Sequence, residues 1–138
     1  MRVLWVEDEE QSVVDTTEML VECMDCRVDI VAAAEPALAA LTSAVPPYDV
    51  VLLDIVLPIG ATDTPLMSPD TAPDVAGYEA LRVIRQDLRM DVPVIVVSAL
   101  GLALAAAVDD LGATAVLWKP LRFEVLRDAI DSAVAGRH

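Results

Sequence analysis

Five short apolar runs alternate along the chain with five segments in which apolar residues recur at helical spacing. This alternation limits the fold more than any other feature of the sequence. Strands that alternate with helices over short connections form a parallel sheet with helices on both faces. The sequence therefore predicts an α/β fold with a doubly wound, five-stranded parallel sheet. The predicted strands are 2–6, 27–32, 49–54, 92–98 and 114–118.

The segments between the predicted strands carry signals for the ends of helices. Pro36 suits the first turn of the second helix, and Gly112 is typical of the position that ends the fourth. The third strand is apolar until its last residue, Asp54, which is typical of a strand covered on both faces. The predicted helices are 13–24, a helix from Glu35 that ends before Pro46, 78–88, 100–111 and 123–133.

Length and composition narrow the class of protein. The 138 residues suffice for one core, so we expect residues 1–138 to form one domain. No apolar run reaches the roughly 18 residues of a membrane helix, and the N-terminus lacks a signal-peptide pattern, so we expect a cytoplasmic protein without membrane contact. The formal net charge of −14 disfavours direct nucleic acid binding and favours cations and basic partners.

Two cysteines and two tryptophans are predicted to have structural roles rather than functional ones. Cys23 and Cys26 form a C-x-x-C pair, but they lie at the end of a predicted helix, where thiol pKa values are not lowered. The only histidine is His138, so a zinc site with four ligands cannot be completed. We predict that the cysteines serve packing or loop roles, and that Trp5 and Trp118 pack within strands.

Polar side chains stand where four of the five predicted strands end. Glu7 and Asp8 follow the first strand, Asp54 ends the third, Ser98 ends the fourth, and Lys119, the only lysine, follows the fifth. The carboxyl ends of parallel strands meet at one edge of the sheet, where α/β proteins bind ligands. We therefore expect these side chains to converge.

The expected group has a chemistry of its own. Three adjacent carboxylates repel one another unless a cation lies between them, and Mg²⁺ prefers oxygen ligands together with a phosphate oxygen. A carboxylate beside Mg²⁺ can attack a phosphoryl group, and a lysine can neutralise a phosphoryl oxygen. Asp54 is therefore predicted to accept a phosphoryl group with the help of Mg²⁺ and Lys119.

This set of residues resembles the receiver domain of bacterial two-component response regulators. The resemblance implies a flavodoxin-like sheet with strand order 2-1-3-4-5, and it covers the chain except for residues 59–76. The matching stretches are LWVEDEE (4–10), DVVLLDIVLP (49–58), GYEALRVIR (77–85), PVIVVSA (93–99) and LGATAVLWKP (111–120).

The resemblance implies a role for each residue of the metal site. It makes Asp54 the phosphoacceptor. Asp8 and Asp54 would bind Mg²⁺ directly, together with the backbone carbonyl of Val56, and Glu7 would act mainly through a water molecule.

The resemblance also implies a phosphoryl-binding and switch set. Lys119 would pair with the phosphoryl group, and its bond to Pro120 would be cis. Ser98 would be the hydroxyl that moves toward the phosphate. Ala99 would be small where the phosphoryl donor passes.

The implied function is that of a phosphoacceptor signalling module rather than an enzyme. A histidine kinase or histidine phosphotransfer protein would be the donor, and phosphorylation would switch a surface toward an unidentified downstream protein; a homodimer is left open. The alternative is a receiver-like interaction module that works without phosphorylation. An aspartate-nucleophile phosphatase would need a second aspartate where Val56 stands, and a dinucleotide-binding enzyme would need a glycine-rich loop after the first strand.

Four features depart from the family pattern. The family has an aromatic ring at the position of Val116, so the switch signal must leave by another route or with smaller amplitude. About fifteen residues are inserted within the stretch 59–76, which we interpret as a lid or partner-contact loop because loops of this length are usually functional or disordered. Val56 and Leu100 are apolar where they would flank the attacking water, which predicts slow self-dephosphorylation. The fourth helix is predicted to expose apolar Leu102, Ala103 and Ala106.

Overall fold

The chain forms a five-stranded parallel sheet with strand order β2-β1-β3-β4-β5, as predicted. The structure is a computed structural model that describes residues 1–99 and 102–136. The strands are β1 (Arg2–Val6), β2 (Arg27–Val31), β3 (Val50–Asp54), β4 (Val94–Ser98) and β5 (Ala115–Trp118), and the helices are α1 (Glu10–Met24), α2 (Ala34–Ser43), α3 (Ala76–Arg82), α4 (Leu102–Asp110) and α5 (Phe123–Ala135).

Helices cover both faces of the sheet because successive strand residues point to opposite sides. In β1, Val3 and Trp5 face the core shared with α1 and α5, whereas Leu4 and Val6 face the core shared with α2 and α3. Every residue of β3 is buried, in agreement with its unbroken apolar sequence. The doubly wound, flavodoxin-like arrangement is therefore confirmed.

The third helix differs from the single helix predicted over 78–88. It begins at Ala76, and its last turn, Val83–Asp87, widens into a π-helix in which the Leu88 N–H donates to the Val83 carbonyl at 2.8 Å. Arg85 lies in this wide turn and joins two connections, the one that leads to β4 and the one between α4 and β5. Its guanidinium donates to the carbonyl oxygens of Gly112 at 2.9 Å, Met90 at 2.9 Å and Val92 at 2.8 Å.

The fourth helix ends at Asp110, one residue before its predicted end, and Gly112, which has a φ of +94°, lies in the turn that follows, as predicted. Ala106 is exposed, as the sequence predicts for the outward face. Leu100 and the side chains of Leu102 and Ala103 lie outside the described residues. Among the described residues, no helix is long and apolar enough to cross a bilayer.

Cys26 and Trp5 follow the packing predictions, whereas Cys23, on α1, and Trp118 are exposed. Cys26 is buried, and its thiol donates to the Leu20 carbonyl at 3.3 Å; Cys23 is exposed, and both thiols are free. Trp5 is buried in the sheet, but Trp118 is 41 % exposed. The prediction of a packed Trp118 was wrong because it ends an edge strand.

Residues 59–76 lie against the start of α2. Backbone bonds join the two ends of this segment to the fold: the Ala34 N–H donates to the Pro58 carbonyl at 3.0 Å, and the Leu57 N–H donates to the Pro73 carbonyl at 3.0 Å. Met67 is 5 % exposed and belongs to the core beneath α2. The segment is thus a packed connection between β3 and α3 that contains only a short 3₁₀ turn, Pro73–Val75.

Candidate functional site

Three carboxylates meet at the carboxyl edge of the sheet. Glu7 and Asp8 follow β1 and Asp54 ends β3, and these strands are neighbours, with Val6 paired to Leu53. One carboxylate oxygen of each of the three acids lies within 4.8 Å of the others. Glu7 and Asp54 are 1 % and 5 % exposed, whereas Asp8 is open to solvent. The predicted convergence of the acidic residues is therefore found.

Lys119 supplies the cation of this group. It follows β5, and its ammonium lies 2.6 Å from Asp54 Oδ2 and 2.9 Å from Glu7 Oε2. The Lys119 N–H donates to the Ser98 carbonyl at 2.9 Å, which fixes the start of the turn. The peptide bond to Pro120 is cis, as the sequence resemblance implies. Asp54 and Glu7 are thus bridged by one ammonium.

The electrostatics of the group follow from burial and from this bridge. Burial raises the pKa of Glu7 to about 7, an effect that Asp54 adds to and that hydrogen bonding to Lys119 opposes. Burial alone would lower the pKa of Lys119, but its bonds to Asp54 and Glu7 outweigh that effect and raise it. Lys119 is therefore held charged, while Glu7 takes up a proton readily when no other cation is near.

The donor set fits a hard divalent cation. Three carboxylates beside one ammonium leave two formal negative charges at the edge of the sheet. Oxygen ligands from a few carboxylates, with room for water on the exposed side of Asp8, are what such ions prefer. Glu7, Asp8 and Asp54 can therefore hold a metal ion together.

The other predicted residues lie around this group. Ser98 is buried at the end of β4, and Ala99 follows it on the surface. Val56 is 44 % exposed, and its N–H donates to Asp54 Oδ1 at 3.4 Å. Val116 lies further back in β5, opposite Val96, and packs against the core beneath α2 and α3. Their roles in phosphorylation stay predictions.

Gly77 has a structural role that the sequence does not indicate. The Gly77 N–H donates to the Ile55 carbonyl at 2.8 Å. A Cβ atom at Gly77 would lie 2.0 Å from the Asp54 carbonyl oxygen and 2.6 Å from the Ile55 Cα. The absence of a side chain therefore allows α3 to approach the strand end that carries Asp54.

A cavity of about 450 Å³ opens beside the carboxylates and was also not predicted. Glu7 and Lys119 line it together with Glu9 and Thr16, and apolar groups that include Trp5 and Val13 complete its walls. The cavity gives small groups access to Lys119 from the side of α1. No sequence pattern indicates it, because its walls come from three separate parts of the chain.

Known proteins resemble this chain in structure, but no sequence comparison identifies a relative. No protein-family model and no curated protein matches the sequence. The receiver domain of a Francisella response regulator is similar in structure, with a TM-score of 0.79, 18 % identity, and coverage of 99 % of this chain and 98 % of that one. A CheY-like receiver domain protein of Methanospirillum hungatei matches with a TM-score of 0.76, 25 % identity, and coverage of 98 % and 94 %.

A third receiver domain protein, from Clostridium thermocellum, matches with a TM-score of 0.74, 23 % identity, and coverage of 99 % of this chain and 95 % of that one. All three matches extend over nearly the whole chain. The chain has the CheY-like fold of response regulator receiver domains, as the sequence motifs imply.

Gly77→Ala should destabilise the protein by about 3 kcal/mol or more, because the new methyl group meets backbone atoms that cannot move aside. Gly136→Ala is the matched control. Its Cβ would lie 3.4 Å from the nearest atom, and we expect a change within about 0.5 kcal/mol. Urea unfolding measures both, and equal stabilities would contradict the close approach of α3.

The free energy of unfolding of the metal-free protein should fall as pH rises from 4.5 to about 7. In this interval the folded chain keeps a proton on Glu7 that the unfolded chain releases. The loss of unfolding free energy therefore begins near pH 4.5 and is complete above about pH 7. We expect a loss of roughly 1–3 kcal/mol. Urea unfolding in EDTA should show it, and Glu7→Gln should flatten the profile; an equal slope in the variant would contradict this assignment.

Proposed function

We propose that this chain, which has the fold of response regulator receiver domains, is a phosphoacceptor signalling module with Asp54 as the acceptor. The observation that carries the proposal is the Lys119 ammonium, 2.6 Å from Asp54 Oδ2 within a group of three carboxylates. Such a group binds phosphoryl oxygens through its cations and offers a carboxylate as nucleophile. The donor would be a histidine kinase or a histidine phosphotransfer protein.

Mg²⁺ is the cofactor that we propose for this site. Asp8, Asp54 and the backbone carbonyl of Val56 would hold the ion, with Glu7 acting through a water, and the ion would neutralise phosphoryl oxygens during transfer. The protein side of the site fits this function because Glu7 and Asp54 are already fixed by Lys119. Their carboxylates need little rearrangement to serve as ligands.

The residues of the chain would perform the transfer as follows. An Asp54 carboxylate oxygen attacks the phosphorus of a phosphohistidine, a P–O bond forms, and the P–N bond breaks with its electron pair on the imidazole, which takes up a proton. Lys119 neutralises a phosphoryl oxygen, and the Ser98 hydroxyl donates to another. Ala99 leaves the approach to the acid open.

We further propose that the module acts by binding other proteins rather than as an enzyme on an external substrate. Phosphorylation adds about 1.5–2 negative charges, and a coupling of about 1–3 kcal/mol to another surface changes partner affinity 5–150-fold. We propose that this switch acts in the cytoplasm and that its target is an unidentified downstream protein. Residues 1–138 would form one domain, with residues 59–76 as an insert.

A second candidate function is a receiver-like interaction module that needs no phosphorylation. It is favoured by Val116, which packs in the core and offers no aromatic ring that could rotate with Ser98. The pairing of Lys119 with two acids opposes it, because a module without phosphoryl chemistry has no need for buried carboxylates. Phosphorylation assays separate the two.

Acetyl phosphate with Mg²⁺ should add one phosphoryl group to the protein, and Asp54→Asn should abolish the adduct because the amide is not a nucleophile. Intact-mass spectrometry measures the adduct, and EDTA should suppress it. Asp63→Asn is the matched control, since Asp63 is an exposed aspartate of the 59–76 segment. An adduct that persists on Asp54→Asn would contradict Asp54 as the acceptor, and the absence of an adduct on the unaltered protein would favour the second candidate.

The phosphorylated protein should lose its phosphoryl group slowly, because the exposed Val56 side chain beside Asp54 cannot hydrogen-bond an attacking water. Val56→Asn should raise the rate about tenfold, which corresponds to about 1.4 kcal/mol in the barrier. Val125→Asn, on an equally exposed valine of α5, should leave the rate unchanged. Decay of the adduct in Mg²⁺ measures this, and rapid loss from the unaltered protein would refute the interpretation.

A further inference from the structure

A cleft of about 340 Å³ lies between the 59–76 segment and the first turn of α2. Its walls are mostly apolar, with Ile59, Pro65 and Met67 among them, and Glu35 supplies a carboxylate. This cleft involves none of the residues assigned to phosphoryl transfer. Its volume is in the range of sites that take a small ligand or one long side chain.

The walls of the cleft are fixed by hydrogen bonds and close packing. Glu35 is 3 % exposed and accepts the N–H of Leu66 at 3.0 and 2.9 Å and the N–H of Met67 at 2.9 Å. Gly60 has a φ of +76°, and a Cβ there would lie 2.7 Å from the Ala33 Cβ. The segment is therefore seated on α2, and the cleft exists before any partner arrives.

The charge around the cleft has one sign. Glu35 forms no ion pair with any basic side chain of residues 1–99 and 102–136. Residues 28–81 contain no lysine, arginine or histidine, and the segment itself carries Asp63, Asp70 and Asp74, all exposed. A buried carboxylate that has only backbone donors keeps an acceptor position for a cation.

We infer that this cleft binds an arginine side chain presented by a partner protein. The guanidinium is weakly hydrated and flat, so it suits a cleft with proline and methionine walls better than an ammonium does, and one of its donors can bond Glu35 Oε2, which accepts a single N–H. The aliphatic stem of the arginine covers the apolar walls. Leu66, which is 38 % exposed beside the cleft, offers apolar contact to the rest of the partner surface.

Other occupants fit the cleft less well. Phosphate groups and nucleic acids meet only negative charge here. A divalent cation needs several oxygen ligands, whereas Glu35 is the only acidic side chain that lines the cleft among the described residues, and its Oε1 already accepts two N–H groups. An apolar ligand would leave the carboxylate without a counter-charge.

The test uses the ¹H–¹⁵N spectrum of the full chain with N-acetyl-arginine methylamide as the probe. Saturable shifts should appear at the amides of Leu66 and Met67, because their N–H groups donate to the carboxylate that the probe engages. The corresponding citrulline compound has the same shape without the charge. It should bind at least about tenfold more weakly, a difference of about 1.4 kcal/mol.

Four variants complete the test. Glu35→Gln should abolish binding, and Ala61→Phe should do the same by filling the cleft while Glu35 is kept, so that loss does not rest on one variant. Glu124→Gln, at an exposed acid of α5, and Asp54→Asn should both retain binding, which separates this inference from the proposed phosphorylation. Equal shifts with the citrulline compound, shifts that persist in both cleft variants, or shifts confined to the amides of Asp8 and Asp54 would overturn it.

Discussion

The group of three carboxylates around one ammonium is the constraint on which the rest of the site depends. Asp54 and Glu7 are almost fully buried, and two buried like charges are stable only when a cation compensates them. Lys119 supplies this cation from the end of the edge strand β5, 112 residues from Glu7 along the chain. The order β1-β3-β4-β5 brings these parts of the chain together, so the fold and the charge balance require each other.

The positive charge of Lys119 does not fully compensate the negative charge of the group. One ammonium cannot neutralise three carboxylates, and the pKa of Glu7 rises to about 7 in consequence of its burial and of Asp54 nearby. A site that takes up a proton in this way can equally be neutralised by a divalent cation, which would return Glu7 to its charged form. Proton uptake by Glu7 and cation binding are therefore competing solutions to the same electrostatic problem.

The sequence predicts most of the fold and of the site because both depend on short-range patterns. Apolar runs indicate the strands, and the carboxyl ends of parallel strands lie at one edge of the sheet. The polar residues that follow those ends are therefore expected to converge at that edge. The approach of α3 through Gly77 and the bond of Arg85 to the Gly112 carbonyl depend on contacts between distant backbone segments, which no local pattern encodes. Trp118 was misplaced for a related reason: an apolar residue at a strand end does not reveal whether a helix covers it.

The 59–76 segment shows how such a distant contact relates the site to another surface. Its stem is the bond between Leu57 and Pro73, which begins three residues after Asp54, and its middle is held by Glu35. The same backbone thus carries a predicted metal ligand, Val56, and one wall of the cleft beside Glu35. Binding at one end affects the other only if the segment differs between the two states of the site, since coupling equals the difference in contact energy between those states. In this structure the bond between Leu57 and Pro73 and the bonds of Leu66 and Met67 to Glu35 hold the segment in a single arrangement.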